Sequence, residues 1–224
     1  MRVSLWRTAW RLSVRMNRAD LSFGLNAVLP HCGKTAQTEL VGIEYLQGVT
    51  YVYATDTYTL GIARITEGAA DIDIRLPRSE ATDLMRFVRP GNKAEQIEEL
   101  VFNSSQPGEF HVGHGDESEV YEVSNDHTLT LHYLFDYIDR LTACPFDWDE
   151  AIYQPKIMER FAKAHRVETD RLRLLPRRVA DRNGAAIVTV GTDFIGAVAG
   201  LTYDDLGTAT VADFLNLTTK EKAA

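Results

Sequence analysis

Hydrophobic and polar positions fall into three successive blocks that share one order: a strand-type alternation, a helical stripe, then further strand-type runs. In the first block Leu12, Val14 and Met16 alternate with Arg11, Ser13 and Arg15, the period of a half-buried strand. Asn17 suits a helix cap. Leu21, Leu25, Val28 and Leu29 then fall on one helical face, and Pro30 and Gly33 close the segment. Three runs at 39–46, 49–54 and 59–65 follow at short spacing and predict an antiparallel meander. The stretch 49–65 reads as two strands rich in β-branched and aromatic residues around a turn at Asp56 and Thr57.

The second block repeats this order. Ile72, Ile74 and Leu76 alternate with Asp71, Asp73 and Arg75, and Pro77 opens a helix whose buried stripe is Ala81, Leu84, Met85 and Val88. Pro90 and Gly91 stop it, and strands follow near 98–103, 109–113 and 118–124. The third block starts with a short strand near 151–154, then a helix from Pro155 with Ile157, Met158, Phe161 and Ala162 inward. Strands near 171–175, 185–190 and 194–201 complete it, with Asn183-Gly184 as a hairpin signal. Gly48 lies eight residues before Asp56, Gly108 eight before Asp116 and Gly184 nine before Asp193, which supports a repeated supersecondary unit. Between 125 and 149 the chain is too apolar for a solvated linker, so it is expected to lie along a core surface. From Asp204 it becomes a tail, with at most one helical turn at 211–215. The fold expected is α+β, three β-α-β-β-β units per chain with antiparallel sheets outside and helices on one face.

Composition changes this picture little. A chain of 224 residues with 45% hydrophobic and 25% charged content is large enough for one or two cores, and a net charge of −8 excludes a protein coated with cations but not one with a single basic face. No run approaches the roughly 18 to 20 apolar residues that span a bilayer. Arg2, Arg7, Arg11, Arg15 and Arg18 precede the first acid, as in a targeting peptide, but the strand alternation from Arg11 argues for a structured segment, with residues 1–9 as an extension. Cys32 and Cys144 stand far apart without metal-type spacing, as expected of free thiols in a reducing, cytoplasmic setting.

Candidate chemistry is mostly cationic. Lys156, Arg160 and Lys163 recur along the third helix away from its apolar stripe, and Arg166 extends the row; Arg78, Arg86 and Arg89 share one broad face of the second helix, and Arg18 precedes the first. Such rows either are solvated helix faces or meet phosphates without reading bases. Acids crowd the strands and turns instead, at Glu95, Glu98, Glu99, Glu109, Asp116, Glu117, Glu119 and Glu122. His111, His114 and Asp116 have a spacing a metal would accept, but without a further ligand pair they read as a surface hairpin; no metal or cofactor is expected. There is no glycine-rich nucleotide loop, zinc-type cysteine set or nucleophile motif, so an enzyme is not expected.

Ala54-Thr55-Asp56-Thr57-Tyr58-Thr59-Leu60, then Leu76-Pro77-Arg78 opening a helix, then Leu134-Phe135-Asp136-Tyr137, resemble in order and spacing the bacterial DNA sliding clamp, the β subunit of DNA polymerase III. The resemblance runs from about Trp10 to Leu201. It implies a clamp-like domain of two units over 10–135, a third unit as a half domain over 136–203, and a tail over 204–224, in a shortened form of the kind a phage would encode. The family has a basic residue in place of Thr59, a proline in place of Phe135 and a Met-Pro-Met-like strand in place of Ala197-Val198-Ala199.

The function implied is a processivity factor, a homo-oligomeric ring that encircles duplex DNA without sequence preference and tethers a replicative polymerase, served by a clamp loader. A full ring of roughly a dozen such units would take four copies of a three-unit chain. Duplex contact would fall to Arg18, Arg78, Arg86, Arg89, Lys156, Arg160, Lys163 and Arg166. Partner peptides would enter an apolar pocket of Thr55, Tyr58, Leu60, Leu134, Phe135, Tyr137, Ile195, Ala197, Val198 and Ala199, although Leu60, Phe135 and Ile195 are equally suited to a core. The alternative is an interaction protein on the same fold that binds replication proteins without encircling DNA.

Overall fold

A computed structural model describes residues 14–35, 38–65, 72–91, 99–103, 108–146, 153–179, 182–183, 185–199 and 201–202. The N-terminal extension, the first residues of the leading strand and the C-terminal tail lie outside that set.

Strand β1 (Val14–Asn17) leads into helix α1 (Arg18–Val28), which starts where Asn17 stops the strand: the Asn17 side chain accepts a hydrogen bond from the Ala19 amide at 2.8 Å. A 3-10 turn (Leu29–His31) follows, then β2 (Leu40–Leu46), β3 (Val49–Thr55) and β4 (Thr59–Ile65). The second unit has the same order: β5 (Asp73–Pro77), α2 (Arg78–Val88), β6 (Glu99–Asn103), β7 (Glu109–His114) and β8 (Glu117–Glu122). The units exchange their leading strands. Strand β1 pairs antiparallel with β6 of the second unit, and β5 with β2 of the first, so neither unit closes its sheet alone.

Helix α3 (Leu131–Ala143) occupies the connector and spans position 135/136, where the two-unit body was expected to give way to the third unit. Sequence reading treats this stretch as chain lying on the core. In fact Leu131, Leu134, Ile138 and Leu141 form a buried helical stripe, and the Thr130 hydroxyl caps its start by accepting from the Tyr133 amide. The third unit then supplies α4 (Pro155–Phe161), a 3-10 turn (Ala162–Ala164), β9 (Leu172–Pro176), the two-residue β10 (Arg182–Asn183), β11 (Ala186–Val190), β12 (Phe194–Val198) and the two-residue β13 (Leu201–Thr202). Tyr153 and Gln154 are not in a strand, in contrast to the expected leading strand; its other residues, 151 and 152, are outside the described set. Asn183 does not begin a direct β9–β11 hairpin either, because it pairs with Leu201 in a separate ribbon.

The strands form a four-stranded sheet in the order β1-β6-β7-β8 and a seven-stranded sheet in the order β5-β2-β3-β4-β12-β11-β9. The second arises because β12 adds antiparallel to β4, fusing the third unit to the first. Its two faces are covered differently, as period-2 alternation requires. Val52, Ala54, Ala63, Ile65, Phe194 and Val198 join the core beneath α1, α2 and α4, whereas Tyr53, Leu60, Ile62 and Ala197 pack with the α3 stripe in a second core.

The α3 side is pinned by Arg75, buried in the middle of β5. Its Nε donates to the Leu129 carbonyl at 2.6 Å, Nη2 pairs with Glu44 at 3.1 Å, Nη1 bonds Asp73, and the guanidinium lies over the Tyr53 ring. Glu44 also accepts from the Tyr53 hydroxyl at 2.8 Å and from the Leu131 amide. A buried cation with this many acceptors is satisfied rather than reactive, and it sets where α3 begins.

On the α4 side the seam is narrow at one point. Gly61 stands opposite Gly196 in the β4–β12 ladder. A Cβ on Gly61 would lie 2.6 Å from His31, and one on Gly196 would lie 2.5 Å from the Leu60 carbonyl and 2.9 Å from Phe161. Gly196→Ala meets backbone and is expected to destabilise the protein by about 1–3 kcal/mol, and by more than Gly61→Ala, whose nearest neighbours are side chains. Denaturant midpoints of the two variants check the order.

Candidate functional site

The turn between β3 and β4 is built by Asp56. Its Oδ1 accepts from the amides of Tyr58 (3.0 Å) and Thr59 (2.7 Å) and from the Thr59 hydroxyl, and its Oδ2 pairs with Arg160 of α4. Thr55 adds a second lock, donating to the Thr59 carbonyl at 2.8 Å and accepting from the Thr57 amide. These bonds hold Thr57 at a φ of 75°, in the left-handed region. Burial alone would raise the Asp56 pKa, but the Arg160 guanidinium and the Thr59 donors prevail and hold the carboxyl below the ordinary range. Asp56 is therefore a fixed structural anion, not an acid catalyst.

Beside this turn lies an open groove with a cavity volume of about 160 Å³. Thr55, Thr57, Tyr58, Thr59 and Leu60 form one wall, Tyr133, Leu134 and Tyr137 of α3 the second, and Ala197 with Ala199 the third. The Ala199 amide donates to the Tyr58 carbonyl at 2.7 Å, so the chain leaving β12 is tied to the turn. Tyr58 and Tyr133 are 65% and 57% exposed, an unusual state for two aromatic rings flanking one groove. Every lining side chain is uncharged.

The expected pocket residues divide into two groups. Thr55, Tyr58, Leu60, Leu134, Tyr137, Ala197 and Ala199 line the groove. Phe135 instead turns to the sheet and packs edge-on against Tyr51 at 5.4 Å, Ile195 packs with the α3 core, and Val198 points into the opposite core. The reason is periodicity: residue 135 is one step off the helical face carrying 133, 134 and 137, and 198 is on the other side of β12 from 197. Thr57, Thr59 and Tyr133, which are not among the residues expected from sequence, also line the groove. Tyr133 was recoverable as the i−4 neighbour of Tyr137 once the stretch is read as helix.

The helical cations also divide, into four that are engaged within the protein and four that are left exposed. Arg18 is buried and donates to the carbonyls of Phe87, Val88 and Arg89, filling acceptors at the end of α2. Arg78 donates to the carbonyls of Cys32 and Gly33. Arg160 serves the turn, donating also to Thr59 Oγ1 at 2.9 Å. Arg166 pairs with Asp20 and with Asp193 and lies over Phe23. Arg86, Arg89, Lys156 and Lys163 remain exposed, with Arg86 paired to Asp83 on its own helix.

Elsewhere, His111 pairs with Glu109 at 3.1 Å and His114 with Glu117 at 3.4 Å, and among the described residues no three His, Cys, Asp or Glu side chains gather as a metal site. Both cysteines are free; burial pushes the Cys32 thiol up to about 11, which makes it inert. Among the described residues no helix is long and apolar enough to cross a membrane.

Comparison with known proteins gives a fold. No family model and no curated sequence matches. Among solved structures the chain is similar to a putative DNA polymerase III β subunit from Eubacterium rectale (TM-score 0.63, 10% identity, 86% of this chain and 66% of that one). It is also similar to the DNA polymerase sliding clamps of Pseudomonas aeruginosa, with ligand (0.64, 10%, 85% and 66%), and of Bacillus subtilis (0.60, 9%, 84% and 64%). The chain thus has the DNA-clamp fold, α+β with repeated units, and spans just under two thirds of the length of these clamps.

Directly behind the groove, His31 is fully buried between Phe161 and Phe194, with ring centroids at 4.6 and 5.8 Å, and neither ring nitrogen has a hydrogen-bond partner. Burial, with the Arg160 charge adding and Asp56 opposing, lowers its pKa from 6.5 to about 3. Because the unfolded state takes up the proton first, His31 contributes stability above about pH 6.5 that is lost as pH falls towards 3, about 2 kcal/mol of it by pH 5. The stability of His31→Leu, measured against urea from pH 7 to 5, should fall less steeply than wild type by about that amount.

Proposed function

We propose that this chain is a replication tether of the sliding-clamp kind, whose groove receives a linear peptide of a polymerase or clamp loader and whose copies assemble around duplex DNA. The observation that carries the reading is the groove: three elements distant in sequence converge on an apolar, uncharged trough flanked by two exposed tyrosines, at the seam where the third unit joins the first. With Ala197 and Ala199 as small walls and Thr59 in place of a basic anchor, recognition rests on shape and apolar contact. The peptide common to bacterial clamp-binding proteins is therefore expected to bind poorly and the chain's own polymerase better.

Assembly follows from the edges. Among the described residues β1 and β8 end the four-stranded sheet and β5 and β9 end the seven-stranded one, and of these edges β8 and β9 carry opposite charge. Strand β8 carries Glu117, Glu119 and Glu122 with an exposed Val120, while β9 carries Arg173 and an exposed Leu172, with Arg171 beside it. Like charges oppose β8–β8 and β9–β9 pairing, so the attractive contact is β8 of one copy on β9 of the next, a head-to-tail arrangement that closes as a ring or runs on as a filament. Exposed Arg86, Arg89, Lys156 and Lys163 would supply sequence-independent phosphate contacts. A second reading is favoured by the internal use of Arg18, Arg78, Arg160 and Arg166: a clamp-fold scaffold that binds replication proteins without encircling DNA.

Titrating the common clamp-binding peptide into labelled protein should shift the amides of Thr55, Tyr58, Tyr133 and Ala199 weakly; tight binding centred elsewhere, or no shift at millimolar peptide, removes the groove assignment. Light scattering should give an oligomer that Glu119→Lys with Glu122→Lys dissociates and added Arg171→Glu with Arg173→Glu restores. In that oligomer, Arg86→Glu, Lys156→Glu and Lys163→Glu together should abolish retention on circular DNA. A monomer at high concentration leaves the scaffold reading standing.

A further inference from the structure

The third wall of the groove is also the exit of the chain from the seven-stranded sheet. Ala197 is on β12, Ala199 is one residue past its end, and the chain then passes through β13. Beyond it, residues 208–219 read Thr-Ala-Thr-Val-Ala-Asp-Phe-Leu-Asn-Leu-Thr-Thr. Four large apolar residues, Val211, Phe214, Leu215 and Leu217, are gathered there between threonines and the charged residues 220–222. Apart from Asp213 the stretch carries no charge, like the groove lining. Left in water, four such side chains in seven residues have an unfavourable exposure that burial would relieve.

Resting on the reading of the groove as a peptide site, we propose that residues 211–217 of the same chain occupy it, with Phe214 and the adjacent leucines between Tyr58 and Tyr133, so that a partner peptide binds by displacing them. Reach is not limiting. From Thr202, the last residue of β13, to Phe214 is twelve residue steps, which extend to about 40 Å, and a return over a groove that Ala199 itself lines needs only part of that. Tethering also sets the competition: a segment joined through a connection of this length has an effective concentration on the order of millimolar, so even a weak intrinsic fit keeps the groove filled against dilute competitors. The groove would then open only to partners that bind tightly or arrive in several copies.

The test uses the full chain and its Phe214→Ala, Leu215→Ala variant, both isotopically labelled, with a synthetic peptide of residues 209–219 as probe. The variant should differ from wild type at the amides of Tyr58, Tyr133 and Ala199, independently of protein concentration. The probe should bind the variant at those amides at least tenfold more tightly than it binds wild type. Unchanged groove amides in the variant, or equal binding of the probe to both proteins, overturns the proposal. A difference that grows with protein concentration assigns the groove to a second copy's tail and overturns it as well. If the probe fails while the common clamp-binding peptide shifts the groove amides in both proteins, the groove reading stands and this inference falls; if neither peptide shifts them, both fall.

Discussion

Everything distinctive about this chain depends on a seam five residues long. Strands β4 and β12 pair from Thr59↔Val198 to Ala63↔Phe194, with Gly61 against Gly196 at the centre. That glycine pair leaves the space into which His31 and Phe161 pack, so α4 can lie against the 3-10 turn that ends the first helix instead of being held off by side chains. With the seam closed, Arg160 reaches Asp56, the Asp56 turn is fixed, and the last residue of the ladder is followed by the Ala199–Tyr58 bond that forms one corner of the groove. The groove is thus a consequence of joining a third unit to the first. Neither part contains it alone.

Much of this was legible in the chain because it is written in short-range periodicity. The alternation of Ile72, Ile74 and Leu76, the Asn17 cap and the Gly48–Asp56 spacing each specify a local element, and the strands of the first two units fall within a residue or two of where those signals put them. What could not be read is which side of a solvated-looking row finds a partner. Arg160 and Lys163 are one helical turn apart and indistinguishable by spacing, yet one is paired with Asp56, 104 residues away, and the other is exposed. Arg18 and Arg166 make the same point, since the acceptors of Arg18 and one of the two acids paired with Arg166, Asp20, lie in other units. Helix α3 was hidden for another reason: its aromatic and β-branched content blurs the helical signal, and its stripe faces a sheet whose outer surface is apolar only because α3 covers it.

Strand exchange explains the unequal edges. In the first two units the strand following the helix is covered by the sister unit's leading strand, β5 on β2 and β1 on β6. The corresponding strand of the third unit is β9, for which the described residues contain no such cover. An arrangement by pairs leaves the odd unit, among the described residues, with an unpaired strand edge, and the arginines at β9, like the glutamates on β8, disfavour pairing of either edge with itself.

The chemistry of the groove also limits how strongly it can hold anything. It offers an apolar trough, hydroxyls from Thr55, Thr57 and Tyr58, and no charge, and Arg160, which bonds the lining residue Thr59, is committed to Asp56. A short peptide ordered in such a site loses conformational entropy for every residue fixed and gains no charge-assisted bond in return, so single engagements should be weak. A weak, shape-selective site functions as a tether only when repeated on one object or combined with a topological link, because linked sites multiply effective concentration without new contacts. Under the tether reading proposed above, multiplicity would therefore be a requirement of the groove itself, independent of how the edges pair: a lone copy with one such trough would release a bound peptide too readily to keep it at work.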